Sequence, residues 1–406
     1  VRRDGDQHEA PGPGRQEART ALNLHDDPAE AAFRAGLREW LRSRLPDDDP
    51  SRTWSTAQLR EWSHDLSEAG YAGITWPKEY GGQGLTAAHQ AIFAEETARA
   101  GAPDHINIIG MNMVGPTLIA HGTDEQKARY LPGILSGRTL FCQGFSEPEA
   151  GSDLAAVRTV ARRAEPDGYL LDGEKVWSSY AHLADHCLLL ARTGPAEPKH
   201  RGLTCFLLDM RAPGVKVSPL RQLNGDTDFN QIILTDAPVG DADVVGEVGR
   251  GWSVALSTLA HERGTFGVTL TARLVAQFDR LLRLVREVGA DGDPAVRREL
   301  ATLHARLQGL RYTGYRSLAA LRRSGEPGAE ASILKLEWSL LHQRVCALAL
   351  RVQGPAALLD SGDAAWQGYW QRQRLRSRAN TIEGGTSEIL RGIVAERVLD
   401  LPRSRQ

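Results

Sequence analysis

The stretch Gln143-Gly-Phe-Ser-Glu-Pro-Glu-Ala-Gly-Ser-Asp153 gathers residues able to hold a flat, polar ligand. It follows apolar Leu140, Phe141 and Cys142, which read as an edge of β-structure. Pro148 fixes φ, Gly151 permits positive φ, and Ser152 and Asp153 can bond their own backbone. Such a loop leaves backbone N–H groups free beside the hydroxyls of Ser146 and Ser152, a surface suited to an acceptor-rich heterocycle or a phosphate. An ordinary polar loop between strands has the same composition. Trp177-Ser-Ser179 follows the turn Asp172-Gly-Glu-Lys-Val176, so an indole at a strand end offers a flat face with hydroxyls behind it; a Trp filling a barrel rim reads the same way. Thr386, Ser387 and Glu388 open a helix whose N–H groups suit a pyrophosphate, or which is plainly capped. Glu262-Arg263, within Leu259-Ala-His-Glu-Arg-Gly264, can supply a proton-accepting carboxylate, although a solvent-facing helix pair is the commoner fate.

These residues need elements to position them. Residues 1–27 are rich in Gly, Pro, Arg, Asp and Glu and read as a disordered tail. Asp27-Pro28 then looks like an N-cap with Pro at the first helical position, and Phe33, Leu37, Trp40, Leu41 and Leu45 mark one apolar face. Further helices are expected over 56–69, 86–100, 104–120 and 124–136, making 28–137 an all-α domain. Over 138–245 short β-prone runs (157–161, 169–171, 187–191, 203–208 and 231–234) alternate with turns, which predicts an antiparallel barrel or sandwich. From 246 to 406 helices return, over about 252–288, 294–323, 328–353, 364–379 and 386–399, as a four-helix-bundle-like α domain. The fold class is α+β.

Composition excludes several function classes. The chain has 406 residues, 41% of them hydrophobic, enough for two or three domains. Its formal net charge of −2 calls for neither nucleic acid nor an anionic membrane surface. Cys142, Cys187, Cys205 and Cys346 stand far apart, as free thiols in a reducing compartment do. His304 and His342 lack metal-ligand spacing, so no metal is expected. No apolar run approaches the roughly 18 residues of a bilayer span, and the chain reads as soluble and cytoplasmic. Neither G-x-G-x-x-G nor G-x-x-x-x-G-K-[ST] occurs, which argues against a Rossmann or P-loop nucleotide site.

The segments at 143–153, 177–179 and 385–389 (Gly-Thr-Ser-Glu-Ile), with Trp76-Pro-Lys-Glu-Tyr-Gly-Gly82, together resemble the acyl-CoA dehydrogenases in order and spacing over roughly residues 30 to 402. The resemblance implies non-covalent FAD between the middle and C-terminal domains. It implies that Gln143, Phe145 and Ser146 line the isoalloxazine, that Trp177 covers one face with Ser178 and Ser179 near its polar edge, and that Thr386, Ser387 and Glu388 meet the pyrophosphate or ribityl chain. Ser152, Arg263, Gly384 and Gly385 would then face the substrate. In the family's commonest pattern the base directly precedes Gly-Thr; here that position is Gly384, with Glu383 one residue early. Other members carry the base before an Arg on the long helix, which implies Glu262. His261 beside it can reach a thioester carbonyl, although a packed or surface histidine is commoner.

Two departures concern the cofactor's adenosine end. The family's Gln-x-x-Gly-Gly is replaced by Val352-Gln-Gly-Pro-Ala356, and no Arg precedes a Phe-Gly after the long helix. The expected activity is FAD-dependent α,β-dehydrogenation of an acyl-CoA or acyl-carrier-protein thioester to the enoyl thioester. Electrons would pass to electron-transfer flavoprotein or a similar acceptor, in a homodimer or homotetramer or a hetero-oligomer. The alternatives are a flavin-dependent oxidase or monooxygenase of the same fold, or a non-catalytic partner of an active paralogue.

Overall fold

A computed structural model describes residues 25–46, 49–324 and 330–402; the side chains of residues 262–266, 321–324 and 330 lie outside that description, as does the expected tail up to residue 24. Helix α1 (Pro28–Arg44) starts where the sequence places it. Asp27 accepts from Glu30 N at 2.8 Å while Asp27 N donates to Glu30 Oε2 at 3.0 Å, closing a capping box. Ser55 with Gln58 and Thr123 with Gln126 repeat that device at α2 (Thr56–Glu68) and α5 (Asp124–Leu135), with α3 (Ala87–Arg99) between them.

The helix expected over 104–120 is shorter and begins irregularly: a π-helical turn, Gly110–Val114, runs into α4 (Gly115–His121). Two side chains explain the late start by bonding the backbone a helix would use. His105 Nδ1 accepts from Asn107 N at 3.0 Å, which leaves its Nε2–H to donate to Leu135 O at 3.0 Å. Burial drives that imidazole's pKa down to about 4, so it stays neutral. Asn107, itself buried, accepts from Gly110 N (3.2 Å) and Phe141 N (2.9 Å) and donates to Thr139 O (2.7 Å). One amide thus ties the π-turn to the first strand.

The middle of the chain forms β1 (Phe141–Gly144), β2 (Val160–Arg163), β3 (Tyr169–Ser179), β4 (His186–Arg192), β5 (Leu203–Asp209), β6 (Val215–Leu220), β7 (Phe229–Val239) and β8 (Val244–Val245). They lie in one sheet of order β6-β7-β3-β2-β4-β5-β8, with β1 against β4. Pairing is antiparallel except that β1 and, at one pair, β2 run parallel to β4. The strand expected at 157–161 begins only at Val160, because the N–H groups of Arg158 and Thr159 are taken by Glu147.

The remaining helices are α6 (Gly251–Glu287), α7 (Pro294–Ser324), α8 (Glu330–Gln353), α9 (Tyr369–Arg376) and α10 (Ser387–Arg397). α9 starts five residues later than expected, since Trp366, Gln367 and Gly368 adopt left-handed φ. Leu270, Leu274, Phe278 and Leu281 of α6 pack with Leu303 and Leu307 of α7 and Leu341 and Leu348 of α8. A second core joins all three layers: Trp76 from the loop after α2 and Tyr130 from α5, Phe141, Leu188 and Leu207 from the sheet, and Val254 from α6. Trp76 fits there only because Gly115 lacks a side chain; a Cβ would stand 2.1 Å from its ring.

Asn107→Ala would strand two backbone donors and one acceptor in this junction. The expected loss is about 3 kcal/mol of unfolding free energy, read by chemical denaturation; a change within ~0.5 kcal/mol would show the amide to be dispensable.

Candidate active site

After β1 the chain turns through Phe145, Ser146 and Glu147 above the side chain of Lys175 on β3. Lys175 is wholly buried, and its Nζ donates to Glu147 Oε1 at 2.8 Å and to Phe145 O at 3.2 Å. Glu147 also accepts from Arg158 N (2.6 Å), Thr159 N (2.9 Å) and Thr159 Oγ1 (2.6 Å). Burial pushes the Glu147 carboxyl up, but the Lys175 charge and these hydrogen bonds outweigh it and hold the group below its ordinary value. Burial lowers Lys175, and the Glu147 charge offsets part of that. One residue further on, Val176 N donates to Ser146 O at 2.9 Å, so the 143–147 turn is strapped to β3.

The next residue on β3 is Trp177. It stands in a bulge: Lys175 pairs with Ile232 but Ser178 with Asn230, leaving one extra residue on β3. Its φ is +63°, a conformation that costs a bulky residue strain, and its side chain is 61% exposed. A large indole held outward at such cost is a platform in want of a ligand. Ser178 Oγ, on the next residue, and Gln143 Nε2 on β1 are buried and have no hydrogen-bond partner among the described residues. Ser179 is half-buried opposite Phe229. The Phe145 ring, by contrast, packs in the core and leaves only backbone to offer a ligand.

The third segment is laid along α8. Four polar residues of that helix, spaced 4, 3 and 1 apart on one face, bond it in succession. Lys335 Nζ donates to Gly385 O (2.7 Å), Ser339 Oγ to Asn380 O (2.7 Å), and Gln343 Nε2 to Ser377 O (3.1 Å). His342 Nδ1 pairs with Asn380 Nδ2 at 2.6 Å. Gly384 and Gly385, at φ +59° and +95°, then turn the chain into α10, where Thr386 Oγ1 caps Ile389 N at 3.2 Å. Ser387 is buried and Glu388 exposed, 3.5 Å from Arg391. Glu383 does not point free: Arg376 forks onto its two oxygens at 3.1 and 2.9 Å. The Arg376 guanidinium also lies 5.8 Å from the Phe229 ring, which meets Trp177 edge-on at 6.1 Å.

Contacts therefore bring together all three sequence segments, through Lys175 and Val176 on one side and Phe229 and Arg376 on the other. Glu262 and Arg263 sit on α6, but their side chains lie outside the described residues. One turn earlier, Thr258 Oγ1 pairs with Thr117 Oγ1 of α4 at 2.9 Å, both buried. His261 is half-buried, 3.4 Å from Ser257 Oγ, and burial followed by the charge of His121 lowers its pKa. Ser152 is exposed beside the Asp153–Lys199 pair (2.7 Å). Sequence reasoning missed Lys175, Glu147, Arg376 and the α8 stripe. The stripe had a signal: polar Lys335, Ser339, His342 and Gln343 recur on one face of a helix otherwise rich in Leu, Val and Ala.

The residues present fit a flavin: an exposed indole platform, two orphaned polar groups on β1 and β3, and a helix N-terminus behind a side-chain-free turn. No cluster of metal-ligating side chains is found among the described residues, and among them no helix is long and apolar enough to cross a membrane.

Comparison with known proteins agrees. Models of the N-terminal, middle and C-terminal domains of acyl-CoA dehydrogenase match residues 27–138, 142–236 and 249–399. The chain is 41% identical over 390 residues to acyl-CoA dehydrogenase IpdE1 of Mycolicibacterium smegmatis, covering 91% of this chain and 97% of that one. Among solved structures it is similar to the Tcur3481-Tcur3483 steroid ACAD, with a TM-score of 0.85 and 33% identity over 94% of this chain and 100% of that one. The ChsE4-ChsE5 complex from Mycobacterium tuberculosis gives 0.82 and 32%, over 94% and 100%.

The strap under the first segment is open to test. Lys175→Met leaves Glu147 buried without its cation and should cost about 3–5 kcal/mol by chemical denaturation. The folded Glu147 pKa lies below its unfolded value, so its contribution is complete above that unfolded value, about 4.3. It is lost as pH falls through the folded value. Glu147→Gln should therefore lower stability at pH 7 yet flatten its decline below about pH 4; an unchanged acid limb would remove Glu147 from this role.

Proposed function

The chain belongs to the acyl-CoA dehydrogenase family and is FAD-dependent, and from that premise we propose that it desaturates an acyl-CoA thioester between its α and β carbons. The observation that carries this reading is the meeting of the 143–147 turn, the Trp177 bulge and the Gly384-Gly385-Thr386 turn at one seam between sheet and helices. Bound FAD supplies the acceptor for the hydride that leaves the β-carbon. Trp177 backs its ring; Gln143, Ser178, Ser179 and the Phe145–Ser146 backbone address the polar edge; Thr386, Ser387 and Glu388 at the start of α10 suit the negatively charged chain.

Glu262 takes the α-proton. Proton abstraction needs a carboxylate free to approach the carbon, and geometry decides before pKa does. Gly384 has no side chain, and the carboxylate of Glu383 is already forked by Arg376. Glu262 lies on a helix anchored one turn earlier by the buried Thr117–Thr258 pair. Arg263, Ser152 and the Gly384–Gly385 backbone are the groups we assign to the thioester. A ring-bearing, steroid-like acyl group is the substrate class we favour, supported by the likeness to a steroid ACAD, and an electron-transfer flavoprotein is the acceptor.

Anaerobic bleaching of the flavin spectrum, across steroid side-chain and straight-chain acyl-CoAs, tests the reaction and the substrate class together. Glu262→Gln should keep its FAD and bind substrate yet slow flavin reduction by about 10² to 10⁴. At saturating FAD, Glu383→Gln should change that rate far less. Reversal of the two phenotypes would move the base to Glu383.

The assembly reading follows from the two motif departures and from apolar side chains bared on the C-terminal part of the chain: Leu358, Ile382 and Leu399 are 89%, 67% and 61% exposed. The ChsE4-ChsE5 relative is itself a complex of two chains. We read this chain as one half of a dimer or tetramer, its partner another chain of the same fold. Light scattering should show no stable FAD-loaded monomer; a monomer that retains FAD through dialysis would contradict it.

A further inference from the structure

Arg376 ends α9 where the sheet meets the C-terminal helices, and its guanidinium serves two masters. Its two terminal nitrogens take both oxygens of Glu383, the residue immediately before Gly384 and Gly385. Its carbon stands 5.8 Å from the Phe229 ring centroid, and Phe229 is the ring against which the outward Trp177 leans at 6.1 Å. The same charge is felt by groups on three elements. Burial raises Asp228 at the head of β7, and after Asp226 the opposing effect of Arg376 comes next. Burial raises Tyr180, at the end of β3, to about 12 against the pull of Arg376. His342 on α8 falls to about 4 through burial first and Arg376 second.

Glycines 384 and 385 have no side chains by which the turn can be held, so its position depends on its flanks. On the α8 side Lys335 grips the Gly385 carbonyl. On the sheet side the grip is Arg376 on Glu383. A guanidinium does here what an ammonium cannot, since it forks onto a carboxylate in one plane while presenting that plane's neighbourhood to an aromatic ring.

Resting on the FAD-dependent reading above, we propose that Arg376 is a positioning residue that sets the gap between the Trp177 indole and the Gly384–Gly385 turn, with Glu383 as its handle. Glu383 is then neither acid nor base but the point by which the turn is drawn to the sheet. Neither residue needs to touch FAD for its loss to loosen the cofactor.

The test is FAD binding by the FAD-stripped protein in its native assembly, followed through flavin fluorescence and the visible spectrum of the bound flavin. Variants are Arg376→Gln, Arg376→Lys, Glu383→Gln and the Arg376→Gln/Glu383→Gln double. Arg376→Gln and Glu383→Gln should each weaken FAD about 10- to 100-fold, the scale of a lost charge-assisted contact. The double should be no weaker than the weaker single, because both remove one coupling. Arg376→Lys should recover only a minor part, and the spectrum of bound flavin should shift alike in all four. Thermal unfolding of the FAD-free protein should barely move, since a part-exposed pair contributes little to the fold; a merely structural role would lower it in step with affinity. Losses that multiply in the double, wild-type affinity in Arg376→Lys, or an unaffected Glu383→Gln would each overturn the proposal. Should Arg376→Gln fail to fold, Arg376→Lys and Glu383→Gln still decide it. Wild-type protein that binds FAD but is bleached by no acyl-CoA would sink the dehydrogenase reading while leaving these binding results to stand on their own.

Discussion

A lysine with no solvent exposure is costly unless its charge is met, and Lys175 is met by Glu147 and by a backbone carbonyl of the loop it supports. The pair stands at the root of the site. Glu147 spends its remaining acceptors on Arg158 and Thr159, which delays β2 and fixes where the 148–157 excursion returns to the sheet. Lys175 in turn precedes the bulge that turns Trp177 outward. Removing either partner leaves the other buried and uncompensated, so the loop and the bulge are held as one unit. A hydrophobic pair would fill the space as well, but it would not specify which carbonyl and which N–H groups meet there.

The device recurs. Lys175 grips the first segment, Lys335 the Gly385 carbonyl, and Arg376 the carboxylate of Glu383. In each case a long basic side chain on a regular element holds a loop or turn that regular backbone pairing does not hold. The reason is geometric. Loops that meet where the sheet abuts the helices need tethers longer than a backbone hydrogen bond, and Lys and Arg offer both reach and several donors.

Helix caps, the apolar stripes of α1 and α6, and the runs that became β4 and β5 were legible in the sequence because each depends on neighbours a few residues away. The segments at 143–153, 177–179 and 385–389 were legible as a family pattern. What stayed hidden was long-range. Nothing near Asn107 announces that its amide will hold Phe141, and so the π-turn replaced an expected helix start. Nothing near Lys175 announces Glu147, 28 residues earlier. The left-handed backbone at Trp177 is hidden for the opposite reason: local preference argues against it, and only the strap before it and the Ser178–Asn230 pairing after it enforce it.

His342 shows how tightly these choices constrain one another. His342 Nδ1 meets Asn380 Nδ2 at 2.6 Å; with the amide nitrogen donating, Nδ1 accepts and the neutral ring carries its proton on Nε2. A protonated ring would lose that acceptor and place a second cation near Arg376. Burial and the Arg376 charge together forbid this, holding the pKa near 4. The folded value is below the unfolded one, so the neutral ring's contribution is complete above the ordinary histidine range and is lost as pH falls through the folded value. Asn380 is thereby kept in register on α8, its carbonyl on Ser339, three residues ahead of Glu383. The cation that draws the glycine turn toward the sheet is thus one reason the histidine beneath that turn stays neutral. Arg376 through Glu383 and His342 through Asn380 thus both hold the segment that leads into the turn, and the turn's position is the one both permit.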